Sequence, residues 1–160
     1  MSVTASNIGA DARRYIVFGL GGCWVGFRLA TIVDVEDFRP DLVTPHPLQG
    51  DNVLGVVPHR GQMATLFNAR KVFGLNTETP QKTQVSAMVE LFLADRATAL
   101  VGMVFDELKE IVFLESNQEV AVKDEHQHLA AFIERTLIWR DEVLTLFDLP
   151  GLLAQRVNEH

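Results

Sequence analysis

The chain has 160 residues, 48% of them hydrophobic, with 14 Lys and Arg against 21 Asp and Glu. That length suits one domain or two very small subdomains, and the apolar share is enough for a packed core. A net charge of −7 opposes binding to nucleic-acid phosphates, and the single cysteine, Cys23, excludes an intramolecular disulfide.

Residues 1–13 open small and polar and read as a flexible tail ahead of a domain over 14–160. Tyr15 to Leu20 is aromatic and β-branched, which predicts a strand. Gly21-Gly22 predicts a tight hairpin turn, and Cys23 to Phe27 the return strand. The arginine pair followed by an apolar stretch and Cys23 mimics a secretory signal. Its apolar part falls below the length of about 7–15 residues that such a signal needs. A run long enough for a membrane helix, about 20 residues, is also missing. A cytoplasmic place without membrane insertion is therefore expected, and the lone cysteine agrees with it.

Leu29 to Val33 predicts a short helical turn with Leu29, Ile32 and Val33 on one face. The prolines of "RPDLVTPHPLQGD", with His46 among them, predict a loop over residues 39–51. Val53 to Val57 and Met63 to Phe67 pattern as antiparallel strands around "PHRG". Asn68 to Leu75 predicts a helical turn that Gly74 stops. The polar "NTETPQK" divides the chain into approximate halves, 14–80 and 81–160. Exchange of strands between the halves stays open.

Gln84 to Leu93 and Ala97 to Phe105 predict two strands around Ala94-Asp95-Arg96. The second is apolar on both alternating faces, so burial on both sides is expected. Ile111 to Leu114 follows as a strand, then a polar loop with an extended piece at Val120 to Val122. Phe132 to Trp139 and Glu142 to Phe147 predict a last hairpin around Arg140-Asp141. Asp148 is placed to cap a terminal helix, with Pro150 just inside it and Leu149, Leu152, Leu153 and Val157 as its apolar stripe. Many short strands with close turn signals describe an all-β barrel or sandwich with minor helix.

Motifs of catalysis do not stand out. "FGLGG" fails the dinucleotide pattern because Trp24 takes the last glycine's place. Cys23, flanked by apolar residues, reads as an inert core thiol. The pairs Glu36-Asp37 and Asp106-Glu107 stand at strand ends and read as solvated edges. His126 and His128, with Asp124 and Glu125, are weak candidates for a divalent cation. They lack the closed four-ligand set of structural zinc, and a solvated loop is the simpler reading.

Four stretches resemble one family. "RYIVFGLGGCWVGFRLATIVDVEDF" looks like the opening of the CheW-like domain, the chemotaxis coupling-protein family. "NVLGVVPHRGQMATLFNARKVFGL" is similar to its central signature, "ALVGMVFDELKEIV" to its Gly-hydrophobic-Val-Asp segment, and "WRDEVLTLFDLPGLL" to its closing strand and helix. They come in family order over about residues 14–153. The resemblance implies two packed small five-stranded SH3-like β-barrels plus a C-terminal helix, no enzymatic activity and no cofactor. It implies a signalling adaptor whose partners are the regulatory domain of a CheA-type histidine kinase and the cytoplasmic hairpin tip of a chemoreceptor. The receptor groove would then hold Ile32, Asp34, Gly55, His59, Arg60 and Gly61. The alternatives are a diverged scaffold of a pilus or other chemosensory pathway, or a small β-barrel that binds a ligand or metal.

The chain also departs from the family pattern. Pro58-His59 replaces the usual Asn-Leu, Asn68 replaces an Asp that would supply a local charge, and Glu134 stands near a common glycine.

Overall fold

The computed structural model describes residues 13–45, 52–75, 83–93 and 97–158. The predicted tail up to residue 12, residues 46–51 of the predicted loop with His46, the polar segment 76–82 and the turn 94–96 lie outside the described residues, while the start of that loop carries a 3₁₀ turn over Pro40–Leu42.

Among the described residues, ten strands form two five-stranded sheets. The first takes β1 (Arg14–Leu20), β2 (Cys23–Arg28), β8 (Glu107–Phe113), β9 (Ile133–Trp139) and β10 (Glu142–Phe147), in the order β8-β1-β2-β10-β9. The second takes β3 (Asp34–Asp37), β4 (Val53–His59), β5 (Gln62–Asn68), β6 (Val85–Phe92) and β7 (Thr98–Phe105), in the order β3-β6-β7-β5-β4. The expected division near residue 80 does not coincide with the sheets. The second sheet is built from the middle of the chain and the first from its two ends. The physical reason is parallel pairing: β10 joins β2 and β5 joins β7 side by side, so each sheet is closed by strands distant in sequence.

The central strands β1 and β7 are apolar on both faces because each separates two cores. Tyr15 and Val17 join Val112, Leu137, Trp139, Leu144 and Leu146 inside the first sheet. Their neighbours Ile16, Phe18 and Leu20 point the other way, into a larger cluster between the sheets. In β7, Leu100 and Val104 fill the second sheet's interior, while Val101, Met103 and Phe105 enter the shared cluster. The two-faced burial expected of this strand is thus observed, and it follows from the side-chain period of two. At the centre Phe105 stacks on Phe18 at 4.6 Å and tilts against Phe27 at 5.3 Å.

The helices seal the shared cluster. Asn68 accepts a hydrogen bond from the Arg70 N–H at 3.0 Å and so caps helix α1 (Ala69–Val72). Gly74, at φ 74°, ends that segment. Asp148 caps helix α2 (Leu149–Asn158) by accepting from the Gly151 N–H at 3.1 Å. Leu149, Leu152 and Leu153 are buried in the shared cluster, and Val157 packs on it half-buried.

Several expectations are corrected. The 3₁₀ turn Leu29–Thr31 forms, but the chain is already extended at Ile32, so Val33 is exposed and leaves the face of Leu29 and Ile32. "DVED" is the strand β3, and the polar loop ends in 3₁₀ structure over Asp124–Phe132. The strand at Ile111 begins earlier, at Glu107. Pro58 and His59 belong to β4 rather than to the turn. Proline is tolerated there because β4 is an edge strand and its ladder donor is dispensable.

Asp106 is not a solvated edge. It is buried between β7 and β8, where the chain crosses from one sheet to the other. Arg70 donates to it twice, Nε to Oδ1 at 2.8 Å and Nη2 to Oδ2 at 2.6 Å, and the Gly21 N–H donates to Oδ2 at 2.8 Å. Replacing Asp106 by Ala removes the buried carboxylate that takes two hydrogen bonds from Arg70. The expected loss is about 3–5 kcal/mol of stability. Urea unfolding checks it, and a loss under about 1 kcal/mol contradicts the latch.

Candidate functional site

Strands β4 and β5 are joined by Arg60-Gly61, both in left-handed conformation at φ 48° and 80°. His59 opposes Gln62 across this two-residue turn. Such a turn matches the strands' twist, and glycine takes its second position without strain. Arginine at the first position is the costlier choice. Its side chain is 77% exposed, and its Nη2 lies 3.1 Å from Asp34 Oδ2.

Asp34 opens β3, which pairs with β6. Strands β3 and β4 stand at opposite ends of the second sheet's order, so closing that sheet brings them face to face. His59 bridges the seam. Its Nε2 lies 3.2 Å from Asp34 Oδ2, and its Nδ1 lies 3.2 Å from Glu36 Oε1. The ring is buried, the Asp34 side chain is 22% exposed and that of Glu36 43%. Asp34 Oδ1 also accepts from the Val35 N–H at 2.9 Å.

Four of the six predicted groove residues thus meet: Asp34, His59, Arg60 and, within the turn, Gly61. Ile32 sits two residues before Asp34 and packs half-buried on the shared cluster. Gly55 stands apart. It lies at an irregularity of β4 at φ 142°, and a Cβ there would come 2.3 Å from the Thr44 carbonyl oxygen. Its role is to let Thr44 pair with Val56 along the free edge of β4. Sequence reasoning missed Glu36 as a partner. The signal was present, because Asp34 and Glu36 alternate at the strand period of two.

Among the described residues, Asp34, Glu36 and His59 also form a group whose ligand-type atoms all lie within 4.8 Å of one another. The two carboxylates face opposite nitrogens of the ring, and Arg60 already occupies Asp34. One ring nitrogen and one oxygen of each carboxylate are close enough to meet a single cation, but Arg60 already engages Asp34 and the set lacks a fourth ligand.

The metal candidates of the loop do not converge. His126 is buried among Phe73 and Phe147, with Nδ1 3.3 Å from Thr145 Oγ1. His128 turns its Nε2 toward the Val72 carbonyl at 3.4 Å. Cys23 is half-buried rather than a core thiol. Its Sγ is 3.5 Å from Glu125 Oε1 and 3.6 Å from Lys123 Nζ. Burial, with Glu125 adding to it, pushes the thiol above its usual range despite the lysine, which disfavours the nucleophilic thiolate. Glu134 pairs with Arg28 at 3.1 Å.

This layout defines a double-sheet β protein with a shared core and an arginine-tipped hairpin. A family model for the CheW-like domain matches residues 14–157. The chain belongs to the CheW-like domain family. Its fold is similar to that in the crystal structure of the scaffolding protein TtCheW from Thermoanaerobacter tengcongensis. The TM-score is 0.73 at 19% identity, over 88% of this chain and 87% of that one. No curated protein matches the chain in sequence. No described helix is long and apolar enough to cross a membrane.

Burial lowers the pKa of His126 below its ordinary value. The unfolded chain therefore takes up this proton at higher pH than the folded one. Stability is full above about pH 6.5 and falls as pH drops through that value. Urea midpoints at pH 7.5 and 5.5 test this. The acid loss should be smaller in His126→Asn, and an equal loss in both proteins refutes the assignment.

Proposed function

We propose that the protein is a non-enzymatic, cytoplasmic signalling adaptor that couples a CheA-type histidine kinase to chemoreceptors. Family membership supports the adaptor class, and one observation carries the receptor contact. Arg60 is held on left-handed backbone at a hairpin tip, largely exposed, with its guanidinium anchored at one corner by Asp34. A guanidinium offers five donors in a planar fork, so those not engaged by Asp34 can meet carboxylates or carbonyl oxygens of a partner helix.

In this reading Asp34, His59 and Gly61 position Arg60, and Ile32 adds apolar surface. Gly55 acts only through the backbone it lets close over β4. The kinase regulatory domain, itself a related double barrel, docks barrel to barrel. The pair Pro58-His59 favours a variant of the same reading: a diverged scaffold in a pilus or other chemosensory pathway, with the fold kept and the receptor changed.

The test is calorimetric binding to the kinase regulatory domain, and to the receptor tip, encoded nearest the gene. Arg60→Ala should change stability by less than about 1 kcal/mol. It should weaken receptor-tip binding roughly tenfold or more while leaving the kinase contact unchanged. Absence of binding to either partner refutes the adaptor, and unfolding of Arg60→Ala refutes the contact role.

A further inference from the structure

We propose that Asp34, Glu36 and His59 form an open binding site for a divalent transition cation of the zinc class. The ligand set is one imidazole nitrogen and one oxygen from each carboxylate, and these atoms all lie within 4.8 Å of one another. The argument begins with what the ring lacks. Its 3.2 Å contacts to Asp34 Oδ2 and Glu36 Oε1 are ion-pair distances without hydrogen-bond alignment. A neutral imidazole turns a lone pair toward an acceptor oxygen here, in a nearly dry place where the residue is 7% exposed. A cation seated between them removes that repulsion. Two ligands of a tetrahedral zinc, each about 2.0–2.2 Å from it, stand about 3.3 Å apart. The Nε2–Oδ2 spacing of 3.2 Å is that of two neighbours on one ion.

The fold supplies the rest. Strands β3 and β4 are the edges of the second sheet, and each brings ligands from its own side of the seam. Asp34 and Glu36 alternate at the strand period of two, so both carboxylates reach one face. The Val35 N–H, donating to Asp34 Oδ1 at 2.9 Å, steadies the first of them. The ring is buried, whereas the Asp34 and Glu36 side chains are 22% and 43% exposed, so an ion enters from the carboxylate side. The charge there favours it. Asp37 lines the recess beside Glu36, and Arg39, in the same recess, is paired with Asp41 at 3.3 Å.

The two features that oppose a closed structural site define the kind of site this is. Three protein ligands leave the remaining position to water, as in open zinc sites. The nitrogen ligand favours first-row transition cations over magnesium and calcium, which prefer oxygen alone. Arg60 Nη2, 3.1 Å from Asp34 Oδ2, is a rival for that oxygen. The ion and the guanidinium carry like charge, so binding drives Arg60 off Asp34 and frees its whole donor fork. The site needs no partner protein, so its failure leaves the adaptor reading intact.

The experiment is calorimetric titration of the metal-free full chain with zinc. The expected result is an ion held by His59, read as a shift of its ring nitrogen in NMR. His59→Leu and Glu36→Gln should each weaken binding roughly tenfold or more. The Glu36 side chain is exposed enough for the glutamine variant to keep the fold without metal, which circular dichroism checks. Arg60→Ala removes the rival and should tighten binding severalfold. Excess magnesium should not displace zinc. A wild-type chain that binds no zinc overturns the proposal. So does an affinity unchanged in Glu36→Gln, which puts the ion on other histidines. A site no tighter in Arg60→Ala, or one that magnesium empties, overturns it as well.

Discussion

The buried pair of Arg70 and Asp106 is the contact on which the two-sheet arrangement turns. Asp106 stands where the chain leaves the second sheet for the first, and its own N–H bonds back to the Gly19 carbonyl at 3.2 Å. Its carboxylate takes Arg70 from the helix that follows β5 and the Gly21 amide from the β1–β2 hairpin. The Thr83 hydroxyl holds its carbonyl from the segment before β6. Four separate segments therefore meet at one residue. Such a pair contributes little net energy over an apolar substitute, but an unmatched half is costly, so the contact enforces one relative placement of the sheets.

That placement makes the shared cluster possible. Each central strand has one face for its own sheet and one for the neighbour. Phe18, Phe27 and Phe147 come from the first sheet, Phe105 from the second and Phe73 from the connection after α1. Helix α2 follows the last strand of the first sheet and lies against β6 of the second. The sheets cannot separate without exposing aromatic rings, each worth about 1.5–3 kcal/mol when fully buried.

A rigid frame of this kind leaves variation to the edges. The second sheet ends in β3 and β4, and a His-carboxylate bridge holds them instead of a backbone ladder between the two. Arg60 projects beside this bridge. The residues that most clearly mark the family and the one that most departs from it, His59, are therefore adjacent in space as well as in sequence.

Much of this was legible in the chain. Alternation gave the strands, Gly21-Gly22 and Arg140-Asp141 gave their turns, and Asp148 gave the start of the last helix, because these depend on local backbone preference. Doubly apolar stretches such as Ala99 to Phe105 announced burial on both faces. The short β3 was missed since four residues, two of them aspartates, carry little strand preference of their own. The sequence by itself determined the elements, their turns and the family. Only the tertiary structure decided which strands share a sheet, that Asp106 is buried against Arg70, and that His59 meets both Asp34 and Glu36. The reason is that these side-chain pairs join residues 23 to 36 positions apart, and no local pattern records which of many carboxylates will stand opposite a given ring or guanidinium.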